Sequence, residues 1–150
     1  MKHLKGKTAV IYRRVSTTDQ KDKGHSLPEQ KDVLNKFCDA NGIKVLKDYE
    51  EDHSAKNFAR PKFAELLSFV SKNKGKVDFL LVHKWDRYSR NIGEAYQYIE
   101  VLKGFGVEVN SIQEWIDYDV PQQYLMLAVY LGVGEVENRV KSERTMMGNH

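Results

Sequence analysis

A serine and two arginines stand close together near the start of the chain, in the segment 12–16, which reads Tyr-Arg-Arg-Val-Ser. The β-branched and aromatic residues 8–12 predict a strand that ends where these polar residues begin. In open α/β sheets, ligands bind beyond the carboxyl ends of the strands. Arginine stays charged and donates to two phosphate oxygens at once. A hydroxyl at Ser16 beside Arg14 therefore suggests chemistry on a phosphate, although a lone loop serine is more often a capping or solvated group.

A second polar cluster follows a second predicted strand. Residues 77–82 are apolar enough for a buried strand, and they lead directly into a segment that contains Arg87 and Arg90. If the two strands are parallel neighbours, both of these arginines and Arg14 can converge on Ser16 from one edge of the sheet. For isolated arginines, a solvated basic surface would be the better interpretation. Their repetition at two strand ends favours a phosphate-binding site.

These two motifs and three others, in the same order, resemble the catalytic domain of the serine site-specific recombinases, the family of resolvases, invertases and phage-type integrases. The matching segments are 12–16, 26–30, 60–67, 86–90 and 143–145. Each segment is weak alone, but five in order are specific, and they span nearly the whole chain. The long stretch between Ser16 and Gln30 is similar to that of the large serine recombinases. A large serine recombinase or a transposase is therefore the favoured parent.

The resemblance implies a serine that attacks a DNA phosphodiester and forms a covalent 5′-phosphoserine bond, leaving a free 3′ hydroxyl. The bond energy is kept for rejoining, so the resemblance implies neither a metal nor another cofactor. Carried over by motif position, the site consists of the nucleophile Ser16, the phosphate-binding Arg14, Arg87 and Arg90, the orienting or proton-transferring Asp86, and the pocket residues Arg60 and Gln30. Fixed guanidinium groups suit this chemistry, because negative charge builds on the phosphate oxygens in the transition state.

Helix caps and glycines around the motifs predict alternating helices and strands. The elements are a helix from Ser26 to Gly42, a strand from 43, a helix after Pro61 with an apolar stripe, a helix from Asn91 to Gly104 and a strand at 107–109. Ser26 and Glu29 match a capping box, and Asn91 matches an N-cap. Such βαβ alternation predicts an α/β fold with a mostly parallel central sheet and helices on both faces.

The carboxyl-terminal third is different, because residues 124–133 are apolar on nearly every side of a helix. The run is shorter than the roughly 20 residues that span a bilayer. Its surplus apolar surface is expected either inside its own domain or against another subunit. The resemblance implies the second, with interface residues Leu125, Val129, Val133 and Val136 on a long helix. We accordingly expect a catalytic domain over residues 1–120 and the start of an oligomerisation helix over residues 121–150.

Composition agrees with one globular domain. A chain of 150 residues can bury roughly 70% of the surface that its unfolded form exposes. There are 24 Lys and Arg residues against 21 Asp and Glu, a net charge of +3, which supports DNA binding through phosphate neutralisation only weakly. The single cysteine, Cys38, lies at helical spacing from Leu34 and is expected in the core. One cysteine excludes an internal disulfide and suits a reducing compartment.

Further expectations concern location and partners. No secretory signal follows Met1, so cytoplasmic residence is expected, in a bacterium or encoded by a phage given the resemblance. The implied partners are double-stranded DNA and further copies of the chain, first as a dimer and then as a synaptic tetramer, with no membrane. No helix-turn-helix, zinc-ligand pattern or strongly basic tail is visible. We expect this chain to be the catalytic part of a longer protein whose carboxyl-terminal DNA-binding region is absent from it.

Two other functions fit parts of the sequence. A metal-dependent nuclease would hold divalent ions with carboxylates near the scissile phosphate. Its candidate ligands are Asp19, Glu51, Asp52, Asp78 and Asp86. The densest polar clusters are cationic and the histidines lack ligand spacing, and cleavage in EDTA would separate the two enzymes. The second alternative is a recombinase-like dimerisation module without turnover, against which the intact set of Ser16 and its arginines argues.

Overall fold

Four strands and five helices alternate along the residues that the computed structural model describes, which are 4–14, 27–52, 60–89 and 91–132. The elements are β1 (Thr8–Arg14), α1 (Leu27–Asn41), β2 (Lys44–Glu51), α2 (Pro61–Lys72), β3 (Phe79–Val82), α3 (Trp85–Tyr88), α4 (Ile92–Gly104), β4 (Glu108–Ser111) and α5 (residues 121–132). The predicted order of helices and strands is confirmed.

The strands form one sheet in the order β2-β1-β3-β4, and every neighbouring pair is parallel. The chain passes from β1 to β2 on one side and then crosses to β3 on the other side of β1. The carboxyl ends of β1 and β3 therefore flank the point where the direction of winding reverses, which is where open α/β sheets bind ligands. Arginines of both predicted polar clusters lie at these strand ends: Arg14 is the last residue of β1, and Arg87 comes five residues after the end of β3.

Helices cover both faces of the sheet, as predicted. On one face α1 packs Leu34 and Cys38 against Ala9 and Ile11 of β1. Burial raises the pKa of the Cys38 thiol to about 11, in agreement with its expected place in the core. On the other face α2, α4 and α5 pack against the alternate residues of β1 and β3. The period-2 alternation of β1 thus separates two apolar clusters, one on each side of the sheet.

Strand β1 is two residues longer than the sequence predicts, because a cross-strand ion pair holds its polar end in the sheet. Arg13 is buried, and its Nε lies 2.8 Å from Asp48 Oδ1 while its Nη2 lies 2.6 Å from Glu50 Oε1. Asp48 and Glu50 are two residues apart on β2 and so face the same side of the sheet. Arg13 is thereby neutralised on the α1 side, and Arg14 faces the opposite side.

Two of the predicted helix ends are confirmed in the described part of the chain. Helix α1 is followed by Gly42 at φ +67°, the left-handed conformation that glycine adopts without strain. The Asn91 side chain accepts a hydrogen bond of 2.9 Å from the Glu94 N–H and caps α4. The proposed cap residue of α1, Ser26, lies outside the described residues.

Helix α5 divides its apolar residues between two environments. Leu127 and Leu131, one turn apart, are buried against the sheet. Leu125 and Val129 are 68% and 52% exposed. Burial in the domain therefore accounts for one side of the helix, and the other side stays apolar and exposed. The remaining predicted interface residues, at 133 and 136, lie outside the described part of the chain. None of the described helices is long and apolar enough to cross a membrane.

Candidate active site

The centre of the site is helix α3, which follows β3 and is only four residues long. A helix this short leaves its last carbonyl groups without partners in the helix. Arginines from other elements bind them. Arg14 donates from Nη2 to the Asp86 carbonyl at 2.7 Å and from Nε to the Arg87 carbonyl at 3.3 Å. Arg60 donates to the Tyr88 carbonyl at 2.9 Å. Cations at the carboxyl end of a helix are also electrostatically favourable.

Three guanidinium groups are buried around this helix. Arg14, Arg60 and Arg87 are each no more than 2% exposed. Two carboxylates lie in the same region, Asp86, whose Oδ1 is 3.3 Å from Arg87 Nε, and Glu51 at the end of β2. The described part of the site thus has one more positive than negative group. Because charges interact strongly where water is excluded, this excess favours an anion at the edge of the sheet.

Arg60 is held by aromatic residues as well as by α3. Its Nη1 donates to the Tyr12 hydroxyl at 2.9 Å, and its guanidinium lies 5.5 and 5.8 Å from the ring centroids of Tyr12 and Phe63. Burial lowers the pKa of Arg60, but an arginine remains protonated in proteins. Burial also raises the pKa of Tyr12 above its ordinary value, so the phenol keeps its proton at neutral pH. It can therefore accept from Arg60 while donating to Glu51 at 3.3 Å.

Glu51 connects this network to the start of α2. Its Oε1 accepts hydrogen bonds of 3.0 Å from the N–H groups of Lys62 and Phe63, so it caps a helix whose own N-cap residue, Arg60, provides no side-chain bond. A carboxylate at this end also complements the helix dipole. Glu51 therefore fixes α2 and, through Tyr12, the orientation of Arg60.

Among the residues that the structure describes, the carboxylates considered as metal ligands do not converge. Asp78 accepts from the Thr8 N–H at 2.9 Å at the amino end of β1, whereas Glu51 lies at the carboxyl end of β2. Asp19 lies outside the described residues. Across 4–14, 27–52, 60–89 and 91–132, no three His, Cys, Asp or Glu residues are grouped so that they could hold a metal ion.

Gln30 of α1 fixes the carboxyl end of β1 from the face of the sheet that α1 covers. Its side-chain amide donates to the Arg14 carbonyl at 3.1 Å and accepts from the Arg14 N–H at 3.3 Å. This pair of bonds imitates a strand neighbour and orients the backbone of Arg14, which precedes Ser16 by two residues in the sequence. Ser16 itself and Arg90 lie outside the described residues, so their predicted roles stay predictions.

The structure brings together five of the predicted site residues, Arg14, Gln30, Arg60, Asp86 and Arg87. Sequence reasoning gave no role to Tyr12, although it belongs to the first motif, and it treated Glu51 only as a possible metal ligand. It also missed Glu114, which accepts from the Trp85 N–H at 2.9 Å. No local pattern reveals a partner 29 positions away in the chain.

Comparison with known proteins agrees with this arrangement. A family model described as "Resolvase, N terminal domain" matches residues 9–150. The Tn21 resolvase of Escherichia coli is 29% identical over 142 residues, which are 93% of this chain and 67% of that protein. The Tn501 resolvase of Pseudomonas aeruginosa is 31% identical over 107 residues, which are 69% of this chain and 55% of that protein. This chain therefore spans roughly half to two thirds of the length of these two relatives.

A solved structure is also similar. The N-terminal catalytic domain of TP901-1 integrase is 31% identical to this chain and superimposes with a TM-score of 0.70. The match covers 90% of this chain and 99% of that domain. The similarity thus extends beyond the site to the whole arrangement of sheet and helices.

The Glu51 network predicts a measurable loss of stability. Glu51→Ala should lower the free energy of unfolding by about 2 kcal/mol or more, because hydrogen bonds to a charged acceptor contribute about 1.5–3 kcal/mol each. Urea unfolding followed by tryptophan fluorescence measures the change. Glu65→Ala is the control, because Glu65 is 58% exposed and pairs with Lys62 at the surface; its effect should stay within about 0.5 kcal/mol. Equal losses in the two variants would contradict the capping role.

Proposed function

Because this chain belongs to the resolvase family of serine recombinases, we propose that it cleaves and rejoins double-stranded DNA through a covalent 5′-phosphoserine bond at Ser16. The observation that carries the proposal is the buried guanidinium cluster of Arg14, Arg60 and Arg87 at the carboxyl ends of β1 and β3. The strand that supplies Arg14 leads, two residues later, to Ser16. Fixed cationic groups that bind the phosphate favour its transfer to a serine hydroxyl.

In this proposal Arg14, Arg87 and Arg90 bind the scissile phosphate. Ser16 Oγ gives up its proton and forms a bond to phosphorus while the bond from phosphorus to the 3′ oxygen breaks, and the 3′ oxygen takes up a proton and leaves as a hydroxyl. Negative charge grows on the nonbridging oxygens as the attack proceeds, and donors fixed in advance stabilise it without reorganisation. Arg14 is fixed in this way by its bonds to the α3 carbonyls. Asp86 lies beside Arg87 and orients it.

The reverse step rejoins DNA without an external energy source. A 3′ hydroxyl attacks the phosphoserine, the bond to Ser16 Oγ breaks, and a phosphodiester replaces a phosphodiester. One phosphate ester is exchanged for another in each direction, so the step needs no nucleotide as an energy source, and in this proposal the arginines supply the positive charge at the phosphate. In this respect the proposed reaction differs from a metal-dependent nuclease, whose product ends are free.

Assembly and targeting complete the proposal. We infer a catalytic domain over residues 1–120 and an oligomerisation helix beginning at 121, with dimers forming through Leu125, Val129, Val133 and Val136 and tetramers forming at synapsis. The net charge of +3 supports DNA affinity weakly, so site selection is assigned to a DNA-binding region outside this chain. Relatives come from a bacterial transposon and from a phage. We therefore propose that the reaction takes place in the bacterial cytoplasm, where its DNA substrate lies.

The covalent intermediate provides the first test. The natural protein that contains this chain is incubated with DNA from the ends of its own element in EDTA, quenched with detergent and run on a denaturing gel before and after protease treatment. A protein-bound 5′ end is expected for the wild type and for Thr17→Ala, and it should be absent for Ser16→Ala, which should still bind DNA. Free ends that form only with added magnesium would instead identify a metal-dependent nuclease.

The phosphate clamp provides the second test. Arg87→Lys should slow formation of the covalent product by about 100-fold or more, because a point charge cannot replace a planar fork and loss of one transition-state donor costs about 3 kcal/mol. Arg13→Lys is the matched control, since Arg13 faces the other side of the sheet and is paired with Asp48 and Glu50. Near-normal cleavage by Arg87→Lys would count against the clamp.

The exposed side of α5 provides the third test. Leu125→Glu should shift the chain from dimer to monomer in sedimentation velocity at micromolar concentrations, because it places a charge in an apolar interface. Val101→Glu is the control, since Val101 is an exposed apolar residue on a different helix, α4. An unchanged dimer in Leu125→Glu, or a wild-type chain that stays monomeric, would refute this interface.

A further inference from the structure

The loop that follows β4 is attached directly to α3. Glu114 Oε1 accepts from the Trp85 N–H at 2.9 Å, and the Glu114 carbonyl accepts from the Trp85 indole Nε1 at 2.9 Å. Trp85 is the first residue of α3, so its backbone N–H has no partner within the helix. The side chain of Lys84, the N-cap residue, provides none. We call this pair of bonds the Glu114 clasp.

Ser111, the last residue of β4, extends the attachment by two more bonds. The Ser111 hydroxyl donates to the His83 carbonyl at 2.9 Å and accepts from the Glu114 N–H at 3.1 Å. The Gln113 N–H also donates to the His83 carbonyl, at 3.3 Å. Residues 111–114 therefore bind the segment that precedes α3 at the His83 carbonyl and bind the start of α3 at Trp85. The bond from its N–H to the Ser111 hydroxyl fixes the backbone of Glu114, and the carboxylate on that fixed backbone accepts from the Trp85 N–H.

The two ends of α3 are thus held by groups of opposite charge. The Glu114 carboxylate binds the amino end, and Arg14 and Arg60 bind carbonyls at the carboxyl end. Because α3 has little more than one turn, a tilt at Trp85 displaces the whole helix. Such a tilt would move Arg87 and also the carbonyl groups that orient the guanidinium of Arg14.

We propose that Glu114 is a positioning residue for DNA cleavage, acting through α3 on Arg87 and Arg14. The proposal rests on the function proposed above and adds a residue to it. Among its described contacts Glu114 binds Trp85 and Ser111 and touches none of the site arginines. Its effect is therefore on the arrangement of the phosphate-binding groups, and a change at Glu114 alters the rate of the chemical step more than the affinity for DNA.

The test compares two substitutions of the same residue. In the natural protein that contains this chain, Glu114→Ala should form the covalent product about tenfold more slowly at saturating DNA, with an unchanged half-saturating DNA concentration. Glu114→Gln should stay within about threefold of wild type, because an amide oxygen also accepts from a backbone N–H. Gln113→Ala, at an exposed position of the same loop, should behave as wild type.

A second measurement does not depend on catalysis. In the 150-residue chain with Trp115→Phe, the remaining indole signal in a ¹H–¹⁵N spectrum belongs to Trp85, since the chain has two tryptophans. Glu114→Ala should shift this signal and the Nε signal of Arg87, while the signals of α1 stay in place. Glu114→Gln should leave both signals near their original positions.

The outcomes separate the two proposals. A wild-type protein that forms no covalent product refutes the proposed function. A wild-type protein that forms it while Glu114→Ala reacts equally fast refutes the positioning role alone. Equal losses in Glu114→Ala and Glu114→Gln also refute it, because the acceptor oxygen would then not be the cause. Slow cleavage in Glu114→Ala with rescue by Glu114→Gln supports it.

Discussion

The site depends on one constraint, which is that the carbonyl groups at the end of a four-residue helix must find donors outside that helix. In α3 the donors are the guanidinium groups of Arg14 and Arg60. Binding these carbonyls holds each guanidinium in one orientation. The parallel pairing of β1 with β3 brings Arg14 to the helix, and the Glu51 cap on α2 brings Arg60. The order of the strands and the cap on α2 therefore both contribute to the hydrogen bonds between these two arginines and the carbonyl groups of α3.

Burial of three guanidinium groups lowers the stability of the fold unless each group finds partners. A buried cation is tolerated only when it is paired or hydrogen-bonded, and removal of one partner of a buried pair costs several kcal/mol. The domain meets this requirement with backbone carbonyls, two carboxylates and a neutral tyrosine, and only partly with opposite charge. The site thereby keeps a net positive charge where water is excluded. A charge in such surroundings acts most strongly on a phosphate.

Much of the fold follows from the sequence, because its signals are local. Asn91 and Gly42 mark helix ends by their own chemistry, and the apolar run that ends in Val82 is visible without any partner. The meeting of Arg14 with Arg87 follows from parallel strands alone. The full length of β1 could not be predicted, because Asp48 and Glu50 stabilise its end from another strand. Glu114 could not be predicted either, since only the folded chain brings it to Trp85.

The ion pair of Arg13 has a consequence for how the chain avoids misfolding. Neighbouring residues of a strand point to opposite faces, so a slip of β1 by one residue would turn Arg13 and Arg14 each to the opposite face of the sheet. Arg14 would then face the carboxylates of Asp48 and Glu50, and Arg13 would face α3. Either arginine could be neutralised by those carboxylates, but only in the native alignment does Gln30 also meet the backbone of Arg14. The two adjacent arginines are chemically alike, and the carboxylates and the amide around them decide which one binds the carbonyl groups of α3.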